Sequence, residues 1–181
     1  MATKQSSKNA GKNKKNKPSE ISSVIIGAVL GAVLTVVLGL VVQIWVLPMF
    51  SPAGAITGVI HDEASDVVNH NIGSAIALYT NDAIITDLAG GDQANATTWR
   101  NIEGITERYR SLPDFDQLSH DYITISVSPD GKSATATSGT SGIMIQNGVK
   151  TNIATFQGEA WSLVLTNDGW KIKSFTYNIP H

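Results

Sequence analysis

The amino-acid sequence predicts an α+β domain that follows a single transmembrane helix. An uncharged apolar run covers residues 24–47, directly behind a lysine-rich tail. Residues 56–112 then show mainly the helical spacing of apolar side chains, and residues 120–178 show the two-residue alternation of strands. Helices followed by antiparallel hairpins are typical of the α+β class.

The apolar run is long enough to cross a membrane. At about 1.5 Å per residue it reaches roughly 36 Å, against a hydrocarbon core of about 30 Å. A signal peptide would have a shorter apolar core and small residues at its cleavage site, whereas this run ends in the bulky residues 44–47, IWVL. We therefore expect a retained anchor over residues 21–48, with Trp45 at the membrane interface.

The charges on either side of the run predict its orientation. Residues 1–20 form a polar tail without apolar periodicity, which we expect to be disordered. Its basic residues are Lys4, Lys8, Lys12, Lys14, Lys15 and Lys17, against the single acid Glu20. The next basic residue after the run is Arg100. The positive-inside rule therefore places the N-terminus in the cytoplasm and the C-terminal domain outside the cell membrane.

Small residues recur every four positions along the predicted span. They are Gly27, Gly31, Thr35 and Gly39, and the first two form a GxxxG motif. Such a stripe allows another helix to approach closely, although glycine is also frequent in membrane helices generally. Besides membrane lipid, we expect this stripe to contact other membrane-protein subunits or a second copy of the chain.

The composition of the chain beyond the tail excludes several functions. The 13 basic and 15 acidic residues include the tail's six lysines and Glu20, so seven basic and 14 acidic residues remain. This excess of acid argues against nucleic acid as a partner. The sequence has no cysteine, and we find no zinc-protease, P-loop or dinucleotide-binding motif, so no metal or cofactor is expected. Asn95 begins a glycosylation sequon.

A linker over residues 49–55 leads into the outer domain, residues 56–181. Apolar residues from Ile56 to Val68 follow helical spacing, and His61, Asp62, Glu63 and Asp66 are assigned to the opposite, exposed face. A short helix begins near Ser74, a strand covers residues 83–86, and a third helix covers residues 102–112.

Three hairpins are predicted in the second half of the domain. Asp130-Gly131, Asn147-Gly148 and Asp168-Gly169 separate alternating runs, and such pairs are strong hairpin signals. The predicted strands are residues 120–127, 133–140, 143–146, 150–155, 159–166 and 170–178.

These elements resemble a known superfamily. Residues 69–87, NHNIGSAIALYTNDAIITD, resemble the opening signature of the SnoaL-like polyketide-cyclase branch of the nuclear transport factor 2-like superfamily. Residues 99–105 resemble its next helix, with Asn101 in place of the usual glycine, and residues 160–175 resemble its closing hairpin. The resemblance covers about residues 56–178. It implies a cone, in which a curved antiparallel sheet wraps around about three helices and encloses a pocket.

The resemblance does not decide the function, because the superfamily includes isomerases, cyclases, binding modules and scaffolds. Its enzymes use a pocket carboxylate as general acid or base, with tyrosine, histidine or aspartate polarising a carbonyl. Here the catalytic candidates are Asp87, Tyr109 and His120. The residues expected to line the pocket are Asp87, Tyr109, Tyr122, Trp161 and Asn178. Each also has a structural interpretation, as a strand-end cap, a core side chain or a surface residue.

Two hypotheses about function follow. In the first, the chain is a non-catalytic accessory or scaffold subunit of a membrane complex, which holds its partners through the small-residue stripe and presents the cone outside. In the second, it is a tethered binder of a small hydrophobic ligand, or an isomerase- or cyclase-type enzyme. Anchoring and the absence of a convergent set of acids and bases favour the first hypothesis, so we do not expect catalysis.

Overall fold

The computed structural model describes residues 51–88 and 95–178, apart from the side chains of residues 155–157. The predicted tail and span, with Gly27, Gly31, Thr35 and Gly39, lie outside the described residues. Within the described residues, no helix is both long and apolar enough to cross a membrane.

The described residues form three helices. Helix α1 (Pro52–Val68) begins at Ser51, whose hydroxyl accepts the N–H of Gly54 at 3.0 Å, with a proline in the first turn. It therefore includes part of the predicted linker. Helix α2 (Ile72–Ala77) is capped by Asn71, and helix α3 covers Asn101–Ser111.

Position 101 is asparagine, where the resemblance leads one to expect glycine, and the local structure shows why asparagine fits. Its φ of 59° lies in the left-handed region, which asparagine tolerates better than most residues. Its side-chain oxygen also accepts the N–H of Gly104 at 3.1 Å, which caps the first turn of α3.

Six strands form one curved, open sheet in the described residues. They are β1 (Tyr79–Asp87), β2 (Thr97–Arg100), β3 (Asp114–Val127), β4 (Ser133–Gln146), β5 (Val149–Thr166) and β6 (Gly169–Tyr177). Their order across the sheet is β2-β1-β6-β5-β4-β3. The pairing of β1 with β6 is parallel, so the expectation of a wholly antiparallel sheet is wrong at this one junction. Strands β3 to β6 form a meander that starts at the edge of the sheet farthest from β2. The meander ends with β6 beside β1, and the two strands run in the same direction.

The three predicted turns are confirmed, but the strands between them are longer than predicted. Asn147 and Gly148 have φ values of 51° and 77°, as a two-residue type I′ turn requires. The segments predicted as separate short strands on either side of residues 141–142 and 156–158 are continuous in β4 and β5. Residue 142, within β4, has to be a glycine, because a Cβ there would lie 2.2 Å from the carbonyl oxygen of Gln117.

A β-bulge reverses the faces of β3. The register with β4 shifts between Asp121 and Thr124, and Tyr122 between them has a φ of 55°. Before the bulge, His120 points to the inner face; after it, Ile123 and Ile125 do so. The unbroken alternation expected from the sequence would have put His120 on the same face as Tyr122.

The inner face of the sheet packs on α1 and α3. Ile56 and Ile60 of α1 and Ile105 of α3 are fully buried against the sheet, together with Leu163 and Phe175. The interior between the two helices and the sheet is therefore the place where a pocket of the cone would lie.

Candidate functional site

Four charged side chains meet inside the cone, and we call them the charged quartet. They are Glu63 of α1, Arg108 of α3, His120 of β3 and Glu159 of β5, with exposed fractions of 1%, 4%, 3% and 3%. Charged residues are rarely this buried unless they are paired. The quartet joins two helices and two strands that are distant in the sequence.

Glu63 lies at the centre of the quartet. Its Oε1 accepts hydrogen bonds from Arg108 Nη1 at 3.4 Å and from the hydroxyl of Tyr109 at 2.6 Å. Its Oε2 lies 3.0 Å from His120 Nε2. Both carboxylate oxygens are therefore occupied by donors from α3 and β3.

Glu159 binds the other side of the same imidazole. Its Oε2 lies 2.8 Å from His120 Nδ1 and also accepts the hydroxyl of Ser138. Its Oε1 accepts the hydroxyl of Thr140. His120 thus bridges two carboxylates with its two ring nitrogens.

Tyrosines extend the network towards the end of β1. The hydroxyls of Tyr79 and Tyr109 lie 3.1 Å apart, and Tyr79 also donates to Glu63 at 3.4 Å. On the other side, Arg108 Nε donates to the hydroxyl of Tyr177 at 3.4 Å, and Tyr177 hydrogen-bonds Asp87. A continuous polar chain therefore crosses the cone from Glu159 to Asp87.

The pKa values follow from these contacts. Burial disfavours the charged form of Glu63, but hydrogen bonding to His120 and the charge of Arg108 outweigh it and lower its pKa to about 2. Burial likewise opposes protonation of His120, but its bonds to Glu159 and Glu63 raise its pKa to about 9. Burial and the charge of Glu63 raise the pKa of Tyr79 and Tyr109 well above 10. At neutral pH the quartet therefore holds two cations against its two carboxyl side chains.

Aromatic side chains fill the rest of the interior. The rings of Trp161 and Phe175 stack with centroids 3.6 Å apart, and His120 meets their edges at 4.9 and 5.8 Å. The cavity that remains beside the quartet has a volume of about 20 Å³, close to the space of one water molecule. This interior cavity is therefore too small for a small-molecule ligand.

The carboxyl oxygens of the quartet are engaged with donors from the protein itself. Each of the four oxygens of Glu63 and Glu159 accepts at least one such hydrogen bond. Within the part of the chain that the structure describes, no group of His, Asp or Glu side chains has the geometry to hold a metal ion.

The structure brings together three of the residues singled out from the sequence. Asp87, Tyr109 and His120 all belong to the buried polar chain, although as members of a satisfied network. Trp161 lies inside the cone as part of its filling, and its Nε1 donates to Ser138 at 2.8 Å.

The other two expected pocket residues are Tyr122 and Asn178. Tyr122 is 68% exposed, because the bulge in β3 turns it away from the interior, so the prediction that it lines the pocket is wrong. Asn178 follows β6, and its Oδ1 is buried without a hydrogen-bond partner among the described residues.

Sequence reasoning missed Glu63, Arg108 and Glu159. The assignment of Glu63 to the exposed face of the first helix is wrong, and the helical spacing itself contained the signal. Glu63 lies seven residues after Ile56 and four before Val67, both of which are buried, so it shares their face. For Arg108 and Glu159 no local pattern marks burial, since their partners come from distant elements.

The fold is shared with solved structures, although no family model and no curated protein matches the sequence. An NTF2-like protein with a cystatin-like fold from Novosphingobium aromaticivorans is 16% identical over 74% of this chain and 84% of that chain, with a TM-score of 0.55. A ketosteroid isomerase-like protein from Erwinia carotovora atroseptica is 21% identical over 68% and 95%, with a TM-score of 0.52. A Mycobacterium tuberculosis protein of unknown function is 11% identical over 70% of each chain, with a TM-score of 0.57. At these identities the likeness establishes the fold alone: the domain has the nuclear transport factor 2-like fold.

Proposed function

We propose that this chain is a membrane-anchored accessory or scaffold subunit, whose NTF2-like domain is a non-catalytic interaction module outside the cell membrane. The filled cone is the observation that carries the proposal. A domain whose interior is occupied by stacked rings and a self-satisfied charged quartet offers its surface, rather than a pocket, to other molecules. The anchor and its orientation rest on residues 24–47 and on the lysines that precede them.

A second candidate function is a tethered small-molecule binder or an isomerase- or cyclase-type enzyme. The observation in its favour is the position of His120, which borders both the small interior cavity and an open groove beside α1. A ligand in this groove would meet the quartet at His120, whose two ring nitrogens already contact Glu159 and Glu63.

The anchor is tested by alkaline extraction and protease accessibility of the full-length chain carrying a C-terminal tag. We expect the chain to stay in the membrane pellet and the tag to be cleaved from outside the cell. Leu34→Arg would place a charge at the centre of the span, at a cost of about 3 kcal/mol, and should release the protein. Release of the unaltered chain by alkali would contradict the anchor.

The scaffold role is tested by capturing the tagged full-length chain from its native membrane in a mild detergent. We expect other membrane subunits in fixed stoichiometry, which Gly31→Leu removes because it fills the small-residue stripe. Val33→Leu enlarges a side chain on the opposite face of the predicted span and should leave the complex intact. Recovery of the chain alone, together with a rise in its melting temperature on adding small apolar ketones or phenols, would favour the second candidate instead.

A further inference from the structure

The turn between β4 and β5 contains the one asparagine of the sequence that directly precedes a glycine. Asn147 and Gly148 form this two-residue turn, and Gln146 and Val149 pair with each other on either side of it. All residues from 146 to 150 are exposed. Because glycine has no Cβ, the residue after Asn147 leaves its own main-chain nitrogen open to approach by the asparagine side chain.

The two groups that face each other in this turn are not held by other contacts. Among the described residues, the side-chain amide of Asn147 and the N–H of Gly148 have no hydrogen-bond partner. The side-chain oxygens of Asn71 and Asn101, in contrast, each accept a backbone N–H at the start of a helix. The side chain of Asn147 can therefore turn onto its own backbone without breaking a bond.

The turn between β3 and β4 has a similar sequence but fixes the equivalent groups. In the pair Asp130-Gly131, the N–H of Gly131 donates to the carbonyl oxygen of Ser128 at 2.9 Å. One carboxylate oxygen of Asp130 accepts the N–H of Lys132 at 3.0 Å and also the hydroxyl of Ser128. The structure therefore distinguishes two turns that look alike in the sequence.

We propose that Asn147 is a site of spontaneous deamidation and isoaspartate formation. The main-chain nitrogen of Gly148 attacks Cγ of Asn147, and its proton leaves with the side-chain amide as ammonia. A new C–N bond thus closes a succinimide ring. Water then adds to one of the two ring carbonyls, and cleavage of that carbonyl's C–N bond gives aspartate or isoaspartate. The sum is one water consumed and one ammonia released, with no oxidant or reductant.

The reaction requires only a local distortion of the fold. The peptide between Asn147 and Gly148 has to rotate out of the turn before its nitrogen can reach Cγ. The flanking residues 146–150 are exposed, so this rotation disturbs no buried side chain of the turn. Openings of this kind at a loop tip cost far less free energy than global unfolding. Asn147 is therefore reactive while the domain stays folded.

The isoaspartate product changes the hairpin that the turn connects. Its main chain runs through Cβ, which adds one backbone atom to a two-residue turn with φ values of 51° and 77°. Such a turn fixes the register of its two strands. We therefore expect faster hydrogen exchange in residues 143–152 of the modified chain, whereas the paired segments farther from the turn keep their protection.

The site is tested by incubating the detergent-solubilised full-length chain in mildly alkaline buffer, followed by peptide mass mapping. We expect the peptide that contains Asn147 to exchange an amide for a carboxyl group sooner than the peptides with Asn101 or Asn167. Labelling by an isoaspartate methyltransferase should increase in parallel. The rate in the folded chain should lie within about tenfold of the rate in urea, because only the tip has to open.

Two variants separate the effect of structure from that of sequence. Asp130→Asn places a second asparagine before a glycine, in the turn whose donors and acceptors are already bonded, and an amide oxygen can accept the same hydrogen bonds. In the folded chain this position should react about tenfold more slowly than Asn147, and in urea equally fast. Asn147→Gly keeps a pair that suits the turn and should abolish isoaspartate formation there.

Three results would overturn the proposal. The first is an Asn147 that stays intact in the folded chain while it reacts in urea. The second is equal reaction of the two asparagine–glycine pairs in the folded Asp130→Asn chain, since the hydrogen bonds would then have no influence. The third is isoaspartate labelling that persists undiminished in Asn147→Gly, which would place the reactive asparagine elsewhere.

Discussion

At the scale of single residues, Glu63 decides how the interior is built. It lies on the apolar face of α1, where an uncompensated carboxylate would cost several kcal/mol. Arg108, Tyr109 and His120 compensate it through hydrogen bonds from two other elements. The residue is therefore a link between α1 and the rest of the cone rather than a free acid.

Removing the charge of Glu63 should destabilise the domain strongly. In Glu63→Gln, two buried cations would face a single buried carboxyl side chain, and breaking a buried ion pair costs about 3–5 kcal/mol. Asp62→Asn changes the neighbouring exposed carboxylate and should stay within about 0.5 kcal/mol. Urea unfolding of the detergent-solubilised full-length chain, followed by near-UV circular dichroism, measures both. Equal midpoints for the two variants would disprove the central role of Glu63.

The pKa values of the quartet predict a stability maximum in mildly acidic solution. The pKa of Glu63 falls from its ordinary 4.5 to about 2, so its contribution is present above pH 4.5 and lost as the pH falls towards 2. The pKa of His120 rises from 6.5 to about 9, so its contribution is present below pH 6.5 and lost as the pH rises through 9. Each of these two groups contributes on the order of 3 kcal/mol to the free energy of unfolding.

Melting temperatures measured from pH 3 to pH 10 test this profile. We expect a plateau between about pH 4.5 and 6.5, with a decline on both sides. In His120→Gln the decline above pH 6.5 should disappear, while the overall stability is lower. A nitrogen-15 NMR titration of His120 with a midpoint below 7 would contradict the assignment.

At the scale of elements, the close approach of β3 and β4 depends on a glycine. A Cβ on Gly142 would lie 2.2 Å from the carbonyl oxygen of Gln117, in a backbone that cannot move aside without breaking the pairing. Gly142→Ala should therefore destabilise the domain by about 3 kcal/mol.

Gly58 provides the opposite case within α1. A Cβ there would meet nothing within 4 Å, and its backbone is helical. Gly58→Ala should stabilise the domain by about 0.5–1 kcal/mol, because alanine loses less backbone entropy in a helix. Thermal unfolding of the two variants under the same conditions is the measurement, and a stabilising Gly142→Ala would show that the strands can separate there.

The elements also show where sequence reasoning succeeds and where it fails. The hairpin turns were predicted correctly because Asn-Gly and Asp-Gly pairs act through their own backbone conformations. The inner and outer faces of β3 were not predicted correctly, because the bulge at Tyr122 depends on the pairing of β3 with β4. The extra residue in the bulge exchanges the side chains that point inward with those that point outward. The sequence alone therefore grouped His120 with Tyr122, although the structure places the two side chains on opposite faces.

At the scale of the whole molecule, the cone is a packed core rather than a container. The resemblance predicted the architecture, since the order of its motifs follows the order of the elements. It did not predict the filling, because the same fold holds either a pocket or a core, depending on which side chains meet inside. Here Trp161, Phe175 and the quartet meet there.

Opening the cone should restore a binding cavity. Phe175→Ala removes a fully packed ring, and such changes cost about 3–5 kcal/mol. The apolar part of the resulting space should accept benzene, as engineered apolar cavities do, so benzene should raise the melting temperature of this variant. The unaltered chain and Val149→Ala, which changes an exposed residue, should show no such rise. A benzene-dependent rise in the unaltered chain would contradict the filled interior.

The position of Glu63 on α1 has a mechanical consequence. α1 is the first described element, so any tension between the chain before Ser51 and the domain enters through this helix. The helix is fastened to α3 and β3 by ion pairs and hydrogen bonds buried away from water, where salt screens charges least. Any force applied at the N-terminal end of the described domain would therefore load these buried contacts through α1.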